Sequence, residues 1–221
     1  MCGRFTLTVS KEELIERYQL DLFPVDYMPS YNIAPSQHVL AVVQAQGRRR
    51  AGFLKWGLVP FWVKDPKQWK PLINARAESL HEKASFKHLL AKRRCIIFAD
   101  SFYEWNSRDG KRVPFRILLK EERPFAFAGL WDRNQHGDRV LTTCTIITTE
   151  ANEKVSKVHD RMPVILQDEA IERWLDTERF NYDEVRELLR PFPADRMALY
   201  RVSTLVNSPK NNSPECIMPV E

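Results

Sequence analysis

Between residues 95 and 166 the chain passes through "CIIFADSFYEW", "VPFRILL", "PFAFAGLWD", "RVLTTCTIITT" and "MPVIL" in close succession. These runs are rich in β-branched and aromatic residues, and turn residues such as "RDGK" and "HGD" separate neighbours. Strands joined by turns pair with their neighbours, so a mainly antiparallel sheet is expected to dominate the fold. Upstream, "AGFLKWGLVP" and "HVLAVV" read as further strands, and "PVDYMPSYNIAPSQ", crowded with proline and turn residues, reads as an ordered loop.

Helical patterning is confined to a few segments. In "SKEELIERYQL", Ser10 and Glu13 form a capping box ahead of Leu14, Ile15 and Tyr18 at helical spacing. Helices are also expected at "ESLHEKASFKHLLAKRR", "DEAIERWL" and "YDEVRELLR". They are scattered instead of alternating with strands, which favours α+β over a doubly wound sheet. The expected fold is one α+β domain over residues 1–221, with a mainly antiparallel, barrel-like β core and peripheral helices.

With 221 residues, 43% of them hydrophobic, the chain can bury a sizeable core. No apolar run is long enough to cross a bilayer, and no basic, apolar leader opens the sequence, so a soluble cytoplasmic protein is expected, associated with the nucleoid in a bacterium. The net charge of +5 suits a polyanionic partner but is modest for this size. The basic runs Arg48 to Arg50 and Lys87 to Arg94 read as solvated faces in preference to phosphate-tracking surfaces.

Cys2, Cys95, Cys144 and Cys216 lie far apart, with no CxxC pair and no histidine at ligand spacing, so no metal is expected. Cys95 and Cys144 sit in apolar β runs and read as buried small hydrophobes. Cys2 differs. If Met1 is removed, it carries an α-amine and a thiol on adjacent carbons, able to form an imine with an aldehyde and then close a five-membered thiazolidine. Its α-amine, with an ordinary pKa of ~7.7 to 8.0, is partly neutral at physiological pH. From position alone Cys2 is equally an incidental small residue. Gly3 would allow close approach of a ligand, and Arg4 offers a guanidinium beside the nucleophile.

Four further segments carry candidate chemistry. In "PLINARAESL", Asn74 and Arg76 share one face of an extended strand and either anchor a sugar phosphate or bridge a loop to protein groups. Glu104, between Tyr103 and Trp105, is either a buried general acid or a strand-end glutamate turned to water or paired with an arginine. In "KVHDRMPVIL", His159 either shuttles protons or serves as a structural histidine, and Arg161 either binds a ligand or pairs with Asp160 or another carboxylate. "KWGLVPFWVKDPKQW" mixes tryptophans with lysines as single-strand binders do; Trp56 is expected to be buried and Trp62 to be the exposed platform.

Taken in order, "MCGRF", "YNIAPSQ", "WGLVPFW", "PLINARAES", "CIIFADSFYEW", "HDRMP" and "VNSPKNNSPECI" resemble the SOS-response-associated peptidase family, also called abasic-site processing proteins, nearly end to end. The resemblance implies a monomeric, cofactor-free protein that recognises abasic sites in single-stranded DNA, including single-strand/double-strand junctions. It would join Cys2 to the ring-opened sugar as a thiazolidine. Asn74, Glu104 and His159 match the family's orienting, acid-base and sugar-stabilising residues. Arg4, Arg76 and Arg161 match its phosphate contacts, and Asn32, Pro35, Trp62 and Thr148 fall in segments lining its DNA groove. The family is also credited with abasic-site lyase, crosslink-reversal and autoproteolytic activities. Two other classes fit less of the sequence: an N-terminal-cysteine amidohydrolase of glutamine amidotransferase type, and a non-catalytic single-strand-binding module.

Overall fold

The computed structural model describes residues 2–108 and 111–220. Met1, whose removal the amine chemistry requires, and residues 109 and 110 of the "RDGK" turn lie outside the described residues. In chain order the strands are β1 (Phe5–Leu7), β2 (Ser30–Ile33), β3 (His38–Ala45), β4 (Arg48–Trp56), β5 (Asn74–Arg76), β6 (Arg94–Ala99), β7 (Ser101–Arg108), β8 (Lys111–Leu119), β9 (Phe125–His136), β10 (Arg139–Glu150), β11 (Arg161–Pro163), β12 (Ile165–Leu166) and β13 (Met197–Arg201). The helices are α1 (Lys11–Tyr18), α2 (Lys87–Lys92), α3 (Asp168–Leu175) and α4 (Tyr182–Glu187).

Strands β10, β4, β3, β6 and β9 follow one another around a sheet, and β9 pairs back onto β10, closing a five-stranded barrel. All its pairings are antiparallel except β4 with β10. A second sheet, in the order β13-β8-β7-β1-β2, is antiparallel throughout. The two sheets share one apolar core, in which Phe5 of β1 packs edge-on against Phe127 of β9 at 5.6 Å and tilted against Trp56 at 5.2 Å. This is the expected α+β domain with a barrel core. Trp56, Cys95 and Cys144 are buried in it as expected.

Four sequence expectations change. "CIIFADSFYEW" is not one strand: β6 ends at Ala99 in the barrel and β7 begins at Ser101 in the second sheet. The buried Asp100 carboxylate makes the corner, accepting hydrogen bonds from the Thr6 hydroxyl and from the Thr8 backbone N–H (2.5 Å) and hydroxyl (2.6 Å). The proline-rich loop contains β2, whose Ile33 and Ser30 pair with β1. The long helix over residues 78–94 reduces to a 3-10 turn at Ala77–Ser79 and the short α2. Leu80, Leu89 and Leu90 are each buried from these separate turns, so tertiary packing overrides helix propensity. Finally, Arg94 does not belong to a solvated face. It is 1% exposed and donates to the carbonyls of Leu90, Trp174 and Asp176, at the ends of α2 and α3. Burial lowers its pKa to about 10.

No helix among the described residues is long and apolar enough to cross a membrane. The N-cap half of the capping box is in place, with the Ser10 hydroxyl accepting from Glu13 N–H at 3.2 Å.

One excursion from the barrel matters for the site. Strand β4 lies beside β10 only as far as Trp56, opposite Cys144. The chain then leaves and returns as β5, which takes up the same parallel pairing with Asn74 opposite Ile146. Gly57 starts the departure at φ +133°, where a Cβ would stand 2.9 Å from Pro71 Cβ, so glycine alone fits without strain. Leu58 and Leu72 exchange backbone hydrogen bonds, and Trp56 Nε1 donates to the Ile73 carbonyl at 2.8 Å, closing the excursion and fixing where β5 begins.

Candidate functional site

Cys2, Gly3 and Arg4 lead into β1, and the Arg4 carbonyl accepts from Tyr103 N–H at 2.9 Å, extending the β1–β7 pairing toward the N-terminus. Asn74, carried to the start of β5 by the excursion, donates from Nδ2 to the Cys2 carbonyl at 3.0 Å. Its Oδ1 is buried with no hydrogen-bond partner among the described residues, an acceptor held ready for a donor. Cys2 is fully buried. Burial pushes its thiol well above the usual range, and the nearby Glu104 carboxylate adds to the rise.

Glu104 is 3% exposed on β7. Burial raises its pKa to about 7, which leaves a carboxyl able to give or take a proton near neutral pH. Along an extended strand consecutive side chains point to opposite faces, so Glu104 shares the face of the core residue Phe102. Tyr103 and Trp105 instead pack with Val202, Val206 and Ile217.

A cavity of about 400 Å³ is lined by Gly3, Arg4, Glu104, Trp105, Arg112, His159 and Asn207. Arg4 reaches it with its guanidinium 5.7 Å from the centre of the Trp105 ring, and Arg112 stands 5.5 Å from the same ring. Arg4 Nη1 donates to Asn32 Oδ1 at 2.8 Å and to the Val206 carbonyl at 2.6 Å, while its Nε is buried without a hydrogen-bond partner among the described residues. Asn207 Oδ1 accepts from Trp105 Nε1 at 2.7 Å, fixing the indole in the cavity wall.

His159 Nδ1 accepts from the Arg161 backbone N–H at 2.9 Å and also stands 2.9 Å from Asp160 Oδ1. The first contact needs a lone pair on Nδ1, the second a proton. The backbone bond governs, because burial holds the imidazole pKa below its ordinary value and the Asp160 side chain is 87% exposed. That bond suits a neutral ring with its proton on Nε2.

The remaining candidates occupy different surroundings. Arg76 is exposed on β5, two residues past Asn74 on the same face. Arg161 makes a bidentate ion pair with Glu78, at 2.7 and 3.0 Å, and donates to the Thr148 carbonyl at 2.8 Å. Thr148 is itself fully buried, so its side chain supports this wall from beneath. Asn32 is also buried. Its Nδ2 donates to the carbonyls of Val206, Ser208 and Asn211, so the amide ties Arg4 to the C-terminal segment and presents no free group. Trp62 is 43% exposed and packs edge-on against Trp69 at 5.3 Å. Pro35 is half-buried. Neither Trp62 nor Pro35 lines the cavity.

The fold thus brings Cys2, Arg4, Asn74, Glu104 and His159 around one place and sets Arg76, Thr148 and Arg161 together on the adjoining β5–β10–β11 edge. Sequence reasoning passed over Trp105, Arg112, Asn207 and Glu78. Trp105 carried a signal as the neighbour of Glu104 and Asn207 as a member of the quoted "VNSPKNNSPECI", whereas Arg112 arrives through the β7–β8 pairing. Among the described residues no group of histidine, cysteine and carboxylate side chains could hold a metal ion.

Comparison with known proteins gives a consistent set of relatives. A family model described as SOS response associated peptidase (SRAP) matches residues 1–209. The chain is 51% identical to the abasic site processing protein YoqW of Bacillus subtilis, over 98% of this chain and 99% of that protein. It is 37% identical to the abasic site processing protein HMCES of Gallus gallus, over 88% of this chain and 67% of that protein. A crystal structure of a protein from Bacteroides thetaiotaomicron superposes with a TM-score of 0.88 at 25% identity, covering both chains completely.

Proposed function

The chain belongs to the SOS response associated peptidase family, and from that premise we propose that it processes abasic sites in DNA by covalent capture on Cys2. Removal of Met1 converts an amide nitrogen into a free α-amine. That amine adds to C1′ of the ring-opened abasic sugar, giving a carbinolamine. Glu104 in its acid form protonates the departing hydroxyl, and water leaves to form the imine. The Cys2 sulfur then bonds to the imine carbon, the thiol proton passes to nitrogen, and a thiazolidine closes. The net reaction is aldehyde plus aminothiol to thiazolidine plus water.

The observation that carries this reading is a carboxyl poised near neutral beside Cys2, facing a cavity shared with Arg4 and His159. Asn74 holds the Cys2 backbone by its carbonyl, which supports an orienting role. His159, with its proton on Nε2, suits donation to the opened sugar. Arg4, Arg76 and Arg161 would hold phosphates, and the exposed Trp62 would stack a base of a single strand, with Asn32, Pro35 and Thr148 shaping the groove. The same imine would permit strand cleavage by β-elimination, and self-catalysed hydrolysis of the Met1–Cys2 bond belongs to the same proposal. The target is single-stranded DNA, including its junctions with duplex, bound by a monomer.

The test is incubation of Met1-free protein with a uracil-containing single strand and a uracil glycosylase. A heat-stable protein–DNA band, absent in Cys2→Ala, is expected, with an intact mass equal to Met1-free protein plus the abasic oligonucleotide left after uracil excision, minus one water. No shifted band would sink the proposal, and DNA-independent glutaminase turnover would replace it with the amidohydrolase reading.

A further inference from the structure

Arg161 is a guanidinium that the proposed function places on a backbone phosphate, yet its forward donors are already occupied. Glu78 accepts from Nη1 at 2.7 Å and from Nη2 at 3.0 Å, and the Thr148 carbonyl accepts from Nη2 at 2.8 Å. A guanidinium recognises carboxylate and phosphate through the same planar fork. Glu78 therefore stands where an incoming phosphate would sit.

The topology creates this arrangement. Thr148 of β10 pairs with Arg76 of β5 on one side and with Pro163 of β11 on the other. The 3-10 turn that follows β5 carries Glu78 across the end of β10 to meet Arg161. The pairing with Arg161, reinforced by the charge of Arg76, holds the Glu78 carboxyl below its usual range. The two halves of the pair differ: Arg161 is 15% exposed and held also by Thr148, whereas Glu78 is 54% exposed. The glutamate is the half that can swing into solvent.

We propose that Glu78 is a specificity-determining phosphate surrogate, filling the Arg161 fork in the unbound protein and yielding it to the DNA backbone. The inference rests on the reading of Arg161 as a phosphate contact. An exposed ion pair is weak, so the threshold it sets is small. An undamaged strand binds without a covalent bond and meets that threshold in full. An abasic strand gains a covalent bond that offsets it. Glu78 would thus suppress unproductive binding to intact single strands without barring capture.

The test compares wild type, Glu78→Gln, Arg161→Gln and the double variant for binding of an undamaged single-stranded oligonucleotide by fluorescence anisotropy across a salt series. Glu78→Gln, an isosteric change at a half-exposed position, is expected to bind about three- to tenfold tighter, with a steeper salt dependence. Arg161→Gln is expected to bind more weakly, and the double variant to match it, because the surrogate acts only through Arg161. If Arg161→Gln weakens binding while Glu78→Gln leaves it unchanged or weakens it too, Glu78 is a positioning residue and the inference fails alone. If Arg161→Gln binds as tightly as wild type, the phosphate role of Arg161 fails and the inference falls with it. Unfolding curves for each variant verify that all are folded at the assay temperature.

Discussion

Glu104 shows how one buried carboxyl links stability to chemistry. Its folded pKa of about 7 lies above the ordinary 4.5, so the folded state keeps a proton that the unfolded chain loses between those values. Its contribution to stability is therefore full below about pH 4.5 and declines as pH rises through about 7. Replacing Glu104 with Gln removes that decline. The variant should be the more stable protein above pH 7, by on the order of 3 kcal/mol, while the two converge near pH 4.5. Melting temperatures measured from pH 4.5 to 8.5 test this. The same substitution should slow crosslinking about a hundredfold and abolish the loss of rate above pH 7 that ionisation of the acid form causes in wild type. A variant that is slower yet retains the wild-type pH profile would assign the proton to another group.

At the scale of elements, buried Arg94 joins the C-terminal ends of α2 and α3 through their carbonyls, where a cation also meets the negative ends of both helix dipoles. Arg94→Met keeps the aliphatic stem and leaves those acceptors unsatisfied, which should cost about 3 kcal/mol or more in urea denaturation. Crosslinking below the transition should persist, because β6 runs from Arg94 at one end of the barrel to Ala99 at the end from which β7 and Glu104 depart. Loss of activity in a folded Arg94→Met protein would contradict that separation. The excursion between β4 and β5 is the other decisive element. Without the Gly57 departure and the Leu58–Leu72 closure, Asn74 would not reach the Cys2 carbonyl.

For the whole molecule, the net charge of +5 is unremarkable, and its distribution carries the argument. Affinity for a single strand falls with salt at a slope of about −0.7 for each phosphate neutralised. Arg76→Gln and Arg161→Gln should each flatten the slope by about 0.7, whereas Arg94→Met, lacking an exposed charge, should leave it unaltered. Salt titrations of anisotropy decide between these outcomes. A slope insensitive to both arginine substitutions would move the strand to another face.

The sequence alone determined the β-dominated α+β character, because runs rich in β-branched and aromatic residues separated by turn residues are a local signal, and the α1 cap, because Ser10 and Glu13 sit three residues apart. Ordered motifs from "MCGRF" to "VNSPKNNSPECI" also exposed the family resemblance and with it the candidates Cys2, Asn74, Glu104 and His159. What tertiary structure decided is everything that depends on pairing between distant segments. Asp100 turns one apolar run into two strands because Thr6 and Thr8 bond its carboxylate. Arg94 looks like a surface cation until carbonyls from two helices close around it. Glu104 gains its raised pKa from burial on β7, which decides between the two readings that its sequence neighbours left open. Arg161 meets Glu78 only because β5 and β11 flank the same end of β10, 83 positions apart in sequence. Local patterns encode backbone conformation; burial, charge pairing and proton affinity arise from long-range neighbours.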